Sequence, residues 1–413
     1  MYDLFGNGRT ALKASFGKYQ RAEASAFANQ FNPFFSTTES RTWSDTDRAG
    51  LALPTNGDNI AQDNEIGPSA TSNFGLLRNR SLDPAFNREY NEQVSAGVQH
   101  ELRTGVAVNF NWYRRMLYNT QSQVNRGVDP ATDWTTTAIV NPLNGEPMTV
   151  YQLNQNQFGN TSNLYLTTNT DTNRRRNVYT GFELGTSARL PRRTLVFAGW
   201  TFERTIDVDC GMNITSVTFF YNDPNSLRFC DQSGEQFQNL GQNAAIPFRH
   251  ELKINGNVPL WYGFEVSASF QSYAGAVKSV NGGLGWTLTR GSTRYPSDCS
   301  VPGCTPGAIV LPSRYAGDPS ITVQLVSPGL RYEPRWNQLD FGVRRSFRFG
   351  GRTVQAQVDL FNALNANNVL TETTTLGSNV SIAPFLSNDP NTGGVPRSFL
   401  QPRIIRLGLQ FRF

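Results

Sequence analysis

The sequence predicts an all-β chain: an antiparallel transmembrane β-barrel segment of about ten strands, with short periplasmic turns and long extracellular loops. Three observations carry this. Apolar residues recur at every second position over long stretches. The connections between those stretches alternate between a few residues and several tens. The chain also stops on an aromatic residue inside one such stretch.

That last stretch is "PRIIRLGLQFRF", residues 402–413. Ile405, Leu407, Leu409, Phe411 and Phe413 share one phase, and Arg406, Gly408, Gln410 and Arg412 fill the other. A period of two places the first set on one face of a strand and the second on its opposite.

Candidate strands fall near 9–19, 89–102, 105–117, 177–190, 194–206, 246–258, 262–274, 336–349, 352–362 and 402–413. The first carries Leu12, Ala14 and Phe16 on its apolar phase; the next two carry Val94, Ala96 and Val98, then Val106, Val108, Phe110 and Trp112. Phe182, Leu184 and Ala188 continue the pattern. "TLVFAGWTFER" is apolar in both phases, and Val196, Ala198, Trp200 and Phe202 are assigned outward. Leu252, Ile254 and Val258 pair with Phe264, Val266, Ala268 and Phe270. Leu339, Phe341 and Val343 precede the turn Gly350-Gly351, and Val354, Ala356, Val358 and Leu360 follow it. Arg345 interrupts that face near the turn, where a long cation reaches the interface. Most of these strands are longer than the roughly 5–6 residues usual in soluble sheets and suit the about 9–11 that cross a bilayer.

The short connections are 6–8, 103–104, 191–193, 259–261 and 350–351, and the long ones are 20–88, 118–176, 207–245, 275–335 and 363–401. Every long connection thus leaves from the same end of the sheet, as in an outer-membrane barrel. Tyr2, Phe5, Trp261, Tyr262, Phe347, Phe349, Phe411 and Phe413 cluster beside the short turns, where an interfacial girdle is expected.

Composition excludes other classes. In 413 residues there is no run near the roughly 20 apolar residues of a spanning helix. The mean hydropathy of −0.43 is compatible with strands whose two faces average out. A net charge of +5, dispersed along the chain, does not suggest a nucleic-acid partner. "MYDLFGNGRT" has neither the basic nor the apolar region of a signal peptide, and Met1 to Phe5 are too few for a spanning strand. The expectation is a start inside a longer reading frame, with signal peptide and plug absent.

No nucleophile stands with a base, no metal-ligand spacing appears, and no cofactor is expected, so the chain reads as a non-enzyme. His100 and His250 fall on apolar phases. "NGDNIAQDNE" and "NTDTNRRR" lack the full calcium-loop spacing and read as solvated loop. Cys210 and Cys230 share one long loop and Cys299 and Cys304 the next, so the expected disulfides are Cys210–Cys230 and Cys299–Cys304, with cross-loop pairing as the alternative. Glu183, Glu251, Lys253, Arg344, Arg348, Asp359 and Arg406 take the inward phase, with Arg189, Glu265 and Arg412. The tracts "QFNPFF" and "VTFFYNDPN" are loop candidates for ligand contact.

The stretches "YDLFGNGRTALKASFGKY", "NREYNEQVSAGVQHEL", "RRRNVYTGFELGTSARL", "FRHELKINGNVPL", "LDFGVRRSFRFGGRTVQAQVDLFNALNANNV" and the terminal strand resemble the C-terminal barrel of TonB-dependent outer-membrane receptors. The nearest type is the Oar-like group with a carboxypeptidase-regulatory-like domain. The resemblance covers nearly all strands and almost none of the loops. It implies location in the outer membrane of a Gram-negative-type bacterium. It also implies energised uptake of a small ligand (siderophore, glycan or peptide) through the TonB complex, contacted via a missing N-terminal region. Residues 1–413 would then be one segment, the C-terminal half of a larger barrel. The terminal residues Ile405, Leu407, Leu409, Phe411 and Phe413 would be the signal read by the barrel-assembly machinery, with lipid as the outer partner. The alternatives are a small self-contained barrel acting as passive pore or adhesin, and a soluble secreted β protein.

Overall fold

The computed structural model describes all residues except 24, 30, 33, 35–37, 72–73, 76–79, 130, 159, 161–163, 169–174, 210–223, 230–247, 276–284, 313–319, 327–333, 374 and 377–394. Its principal feature is one 11-stranded sheet whose strands follow each other in chain order. The strands are β1 (Tyr2–Asp3), β2 (Thr10–Gln20), β3 (Tyr90–Arg103), β4 (Val106–Tyr118), β5 (Arg175–Leu190) and β6 (Thr194–Asp209). They continue as β7 (Arg249–Pro259), β8 (Phe264–Tyr273), β9 (Trp336–Phe349), β10 (Arg352–Phe361) and β11 (Ile404–Arg412). Every pairing is antiparallel.

The register carries the period of two across the whole sheet. On one face Leu184 lies between Phe110 and Trp200, and Val266 lies between Val258 and Val343. Val358 then faces Leu407 across the last pair. On the other face Asn111, Glu183, Thr201 and Glu251 follow one another across four strands. This is why no core forms between the strands. Phe16, Leu184, Trp200, Ile254, Val358, Leu407 and Leu409 are all exposed, with Leu407 at 77%. Stacked rings run across the same face from Phe110 to Phe182 (6.0 Å) and from Phe182 to Phe202 (5.4 Å). Arg345, which interrupts that face near the turn, lays its guanidinium over Phe264 and Phe347 at 4.7 and 4.6 Å.

The short turns are built from left-handed backbone. Gly6, Gly8, Gly105 and Gly350 take positive φ, as tight hairpins require. The turns Pro191–Arg193 and Trp261–Gly263 share one conformation, with Arg192 at φ 60, ψ 27 and Tyr262 at φ 57, ψ 28. The following residue is Gly263 at φ 73 in one turn but Arg193 at φ 62 in the other. Side chains bear a steric cost there that glycine does not. Arg193→Gly is therefore expected to stabilise the sheet by about 0.5–1 kcal/mol, read as a rise in the urea midpoint of the native protein.

Buried hydrophobic residues lie instead in the long connections. Hairpin 134–153 packs on the segment 285–325, and Ile139, Met148, Val150, Trp286, Leu288, Leu311, Ile321, Val323 and Leu325 form its core. Asn141 Nδ2 donates to the Leu325 carbonyl (2.7 Å), and the Val140 N–H donates to the Tyr295 hydroxyl (2.9 Å). Arg228, from a third connection, donates to the Gln324 carbonyl (2.9 Å) and pairs with Glu146 (3.2 Å). Residues 375–376 of a fourth pair in parallel with 285–286. Segments that read as polar loops thus interlock into a cap. Cys299 and Cys304 are disulfide-bonded within it, while Cys210 and Cys230 lie outside the described residues.

Candidate functional site

The polar face of the sheet holds most of the inward-phase residues in local ion pairs and hydrogen bonds. Arg406 Nη2 meets Asp359 Oδ2 at 2.7 Å, and Gln357 Nε2 donates to the same carboxylate at 2.8 Å. Gly342 lies opposite Asp359, and a Cβ there would come within 2.6 Å of its Oδ1. Glycine is required at that position so that the ion pair can lie flat against the wall. Arg344 pairs with Glu265, Arg249 with Glu251 at 2.7 Å, and Lys253 Nζ lies 5.0 Å from the Tyr273 ring centroid. Arg348 faces Thr353 beside the last short turn and is exposed.

Reading by charge alone missed the tyrosines of this face. Tyr113 donates to Glu183 at 3.3 Å and Tyr179 to Glu203 at 2.9 Å. Both rings occupy the polar phase, and an aromatic on that phase was the available signal. Two depressions are distinct. One of about 560 Å3 includes Tyr19, Gln93, Tyr113, Arg115 and Tyr179 in its lining. Another of about 400 Å3 lies over Asn255, Ser267, Gly342, Asp359 and Arg406.

The remaining sequence candidates have ordinary surroundings. His100 Nδ1 is 2.8 Å from the Thr10 hydroxyl, and His250 packs edge-on to Trp200 with centroids 6.3 Å apart. Among the described residues no group of three or more His, Cys, Asp or Glu side chains could hold a metal ion. The acids around "NGDNIAQDNE" instead close their own loop. Asp45 accepts from the Gly57 and Asn59 amides, and Glu65 from the Trp43 indole. Asn64 and the Leu51 amide donate to Asp47 and hold its carboxyl below the usual carboxylate range. A depressed value means the contribution is full above the unfolded value of about 3.9 and is lost as pH falls through the folded one. Amide protection in segment 45–65, corrected for the intrinsic exchange rate, is therefore expected to fall below about pH 4, and Asp47→Asn should remove that acid step. "QFNPFF" is described only in part and "VTFFYNDPN" almost wholly lies outside the described residues.

The terminal strand places Ile405, Leu407, Leu409 and Phe411 on the apolar face, where all are exposed; Phe413 closes the chain at 102% exposure. Tyr2, Phe5, Trp261, Tyr262 and Phe349 are likewise exposed at the short-turn end. Among the described residues no helix is long and apolar enough to cross a membrane.

A long antiparallel meander with one apolar and one polar face, short turns at one end and long connections at the other, is the wall of an outer-membrane β-barrel. The chain belongs to the outer membrane beta barrel domain family, which matches residues 1–406. Its location is the outer membrane of a Gram-negative-type bacterium. The apolar face meets lipid, the short turns are periplasmic and the cap is extracellular.

Solved structures similar to the chain include the outer membrane transporter YddB from Escherichia coli, at 11% identity and TM-score 0.39 over 99% of this chain and 39% of that one. The siderophore receptor PirA from Acinetobacter baumannii gives 11% identity and TM-score 0.38 over 98% and 39%. The ferripyoverdine receptor of Pseudomonas aeruginosa gives 9% and 0.34 over 79% and 27%. The chain therefore spans less than half the length of each. A comparison with curated proteins gives no match.

Proposed function

We propose that this chain is part of the barrel wall of a TonB-dependent receptor that takes up a small ligand, with the polar face lining the lumen. The carrying observation is the open sheet. Among the described residues β11 pairs only with β10, and the far edge of β2 is met only by the two residues of β1. Free N–H and C=O groups are not tolerated in hydrocarbon, so further strands complete the wall. A barrel wider than ten strands encloses room for a plug and a ligand. The paired charges of the polar face and the strand motifs shared with that receptor class support the same reading. Residues 1–413 form one segment of that barrel, its C-terminal half, and the TonB complex engages a region preceding it. Glu183, Glu251, Lys253, Arg344, Arg348, Asp359 and Arg406 hydrate the lumen and face plug or ligand.

Photo-crosslinking of the native, genomically tagged protein to the inner-membrane TonB protein tests this. A crosslink is expected that disappears when the proton-motive force is collapsed. No crosslink, together with steady conductance in planar bilayers, would favour the passive pore. Phe413, at the lipid-facing end of β11, serves the barrel-assembly machinery. Its deletion is expected to lower outer-membrane yield severalfold while ligand affinity of the inserted fraction is unchanged.

A further inference from the structure

The depression of about 560 Å3 between β2 and β5 has features that the ion pairs do not explain. It lies toward the long-loop end of those strands. Tyr19, at the end of β2, lies over Gly17: a Cβ on that glycine would come within 2.6–2.8 Å of the ring and its hydroxyl. Tyr179 lies over Gly181 in the same way, 2.8 Å from its Cζ. Rings laid over glycines rest one face on the wall and turn the other away from it; Tyr19 is 55% exposed and Tyr113 38%. The hydroxyls of Tyr113 and Tyr179 donate to Glu183 and Glu203 respectively, which holds the rings in place. Gln93, Ser95 and Arg115 line the same hollow, and no acidic side chain does.

From this we propose that the depression is a sugar-binding subsite, taking a neutral oligosaccharide at the extracellular mouth of the lumen. Flat aromatic faces match the C–H faces of pyranose rings, and Gln93, Ser95 and Arg115 supply hydroxyl-directed hydrogen bonds around them. The absence of a lining carboxylate disfavours a cationic ligand, and the satisfied hydroxyls leave ring faces as the main contact. The inference rests on the reading that the polar face lines a ligand-conducting lumen, and narrows its ligand to a glycan.

The test uses the native, genomically tagged protein extracted from the outer membrane in detergent, probed with an array of neutral oligosaccharides and, in parallel, with ferrioxamine B and tri-alanine. Saturable binding to at least one oligosaccharide is expected. Tyr19→Ala and Tyr113→Ala should each weaken it about five- to tenfold, while Tyr113→Phe, which keeps the ring, should cost less than about threefold. Heat-modifiable gel mobility of each variant shows that the sheet has folded. Binding of ferrioxamine B or tri-alanine that responds to Tyr19→Ala, with no sugar bound, would overturn the ligand class. No binding to any probe, or sugar binding indifferent to both alanine variants, would overturn the site. A retained TonB crosslink without sugar binding strikes only this proposal; sugar binding without the crosslink strikes only the uptake reading.

Discussion

Leu407→Arg is expected to cost about 2–4 kcal/mol of barrel stability, the range for an arginine near the bilayer midplane on a lipid-facing strand position. Leu407 sits midway along β11, pairs with Val358 and is 77% exposed on the apolar face. In water such exposure would make it tolerant of charge. In lipid the same exposure makes it intolerant, because nothing there solvates the guanidinium. The neighbouring residue is the control. Arg406 points to the other face and pairs with Asp359, yet its side chain is 62% exposed. Losing the exposed guanidinium costs about 0–1 kcal/mol, and Gln357 still donates to the buried Asp359 carboxylate, so Arg406→Gln should be mild. Urea titration of the native protein, extracted from the outer membrane and reconstituted in lipid vesicles, measures both. Equal and small effects at the two positions would mean that β11 does not present its apolar face to lipid.

Gly105→Val is expected to cost about 2–3 kcal/mol through a different mechanism. Gly105 stands in the periplasmic turn between β3 and β4 at φ 82, outside the range a β-branched residue adopts. A Cβ there would lie 2.7 Å from the Arg189 carbonyl oxygen of the adjacent β5. The Gly105 carbonyl also accepts from the Arg189 amide at 2.6 Å, so moving the turn aside breaks a link between two hairpins. Gly351→Val makes the comparison: Gly351 has no neighbour within 4 Å of its missing Cβ and no positive φ. The expected readout is a lowered urea midpoint and reduced heat-modifiable band for Gly105→Val alone. Comparable losses at both would assign the effect to turn flexibility in general.

Much of this architecture was readable before any coordinates. The period of two located β2 to β11 within a few residues and separated their faces, because a pleated strand has no other way to present alternate side chains. It even resolved "TLVFAGWTFER", apolar in both phases, where the register puts Val196, Ala198, Trp200 and Phe202 on the apolar face with Leu184 and Leu252. The turn Gly350-Gly351 supplies the positive φ of its hairpin through Gly350, at φ 58.

The cap was not readable. Ile139 and Val150 meet Trp286 and Leu311 from more than a hundred residues away, and each connection taken alone looks polar because its apolar residues are few. Nor was the tyrosine hollow legible as a unit, since Tyr19, Tyr113 and Tyr179 come from three strands separated by long loops. Which residues form strands, which way each side chain points and which end carries the loops all follow from local periodicity and turn length. Which loops pack together, which charges of the polar face pair, and that among the described residues β11 pairs only with β10, are matters of tertiary structure. Those depend on partners distant in sequence, whose meeting no local pattern encodes.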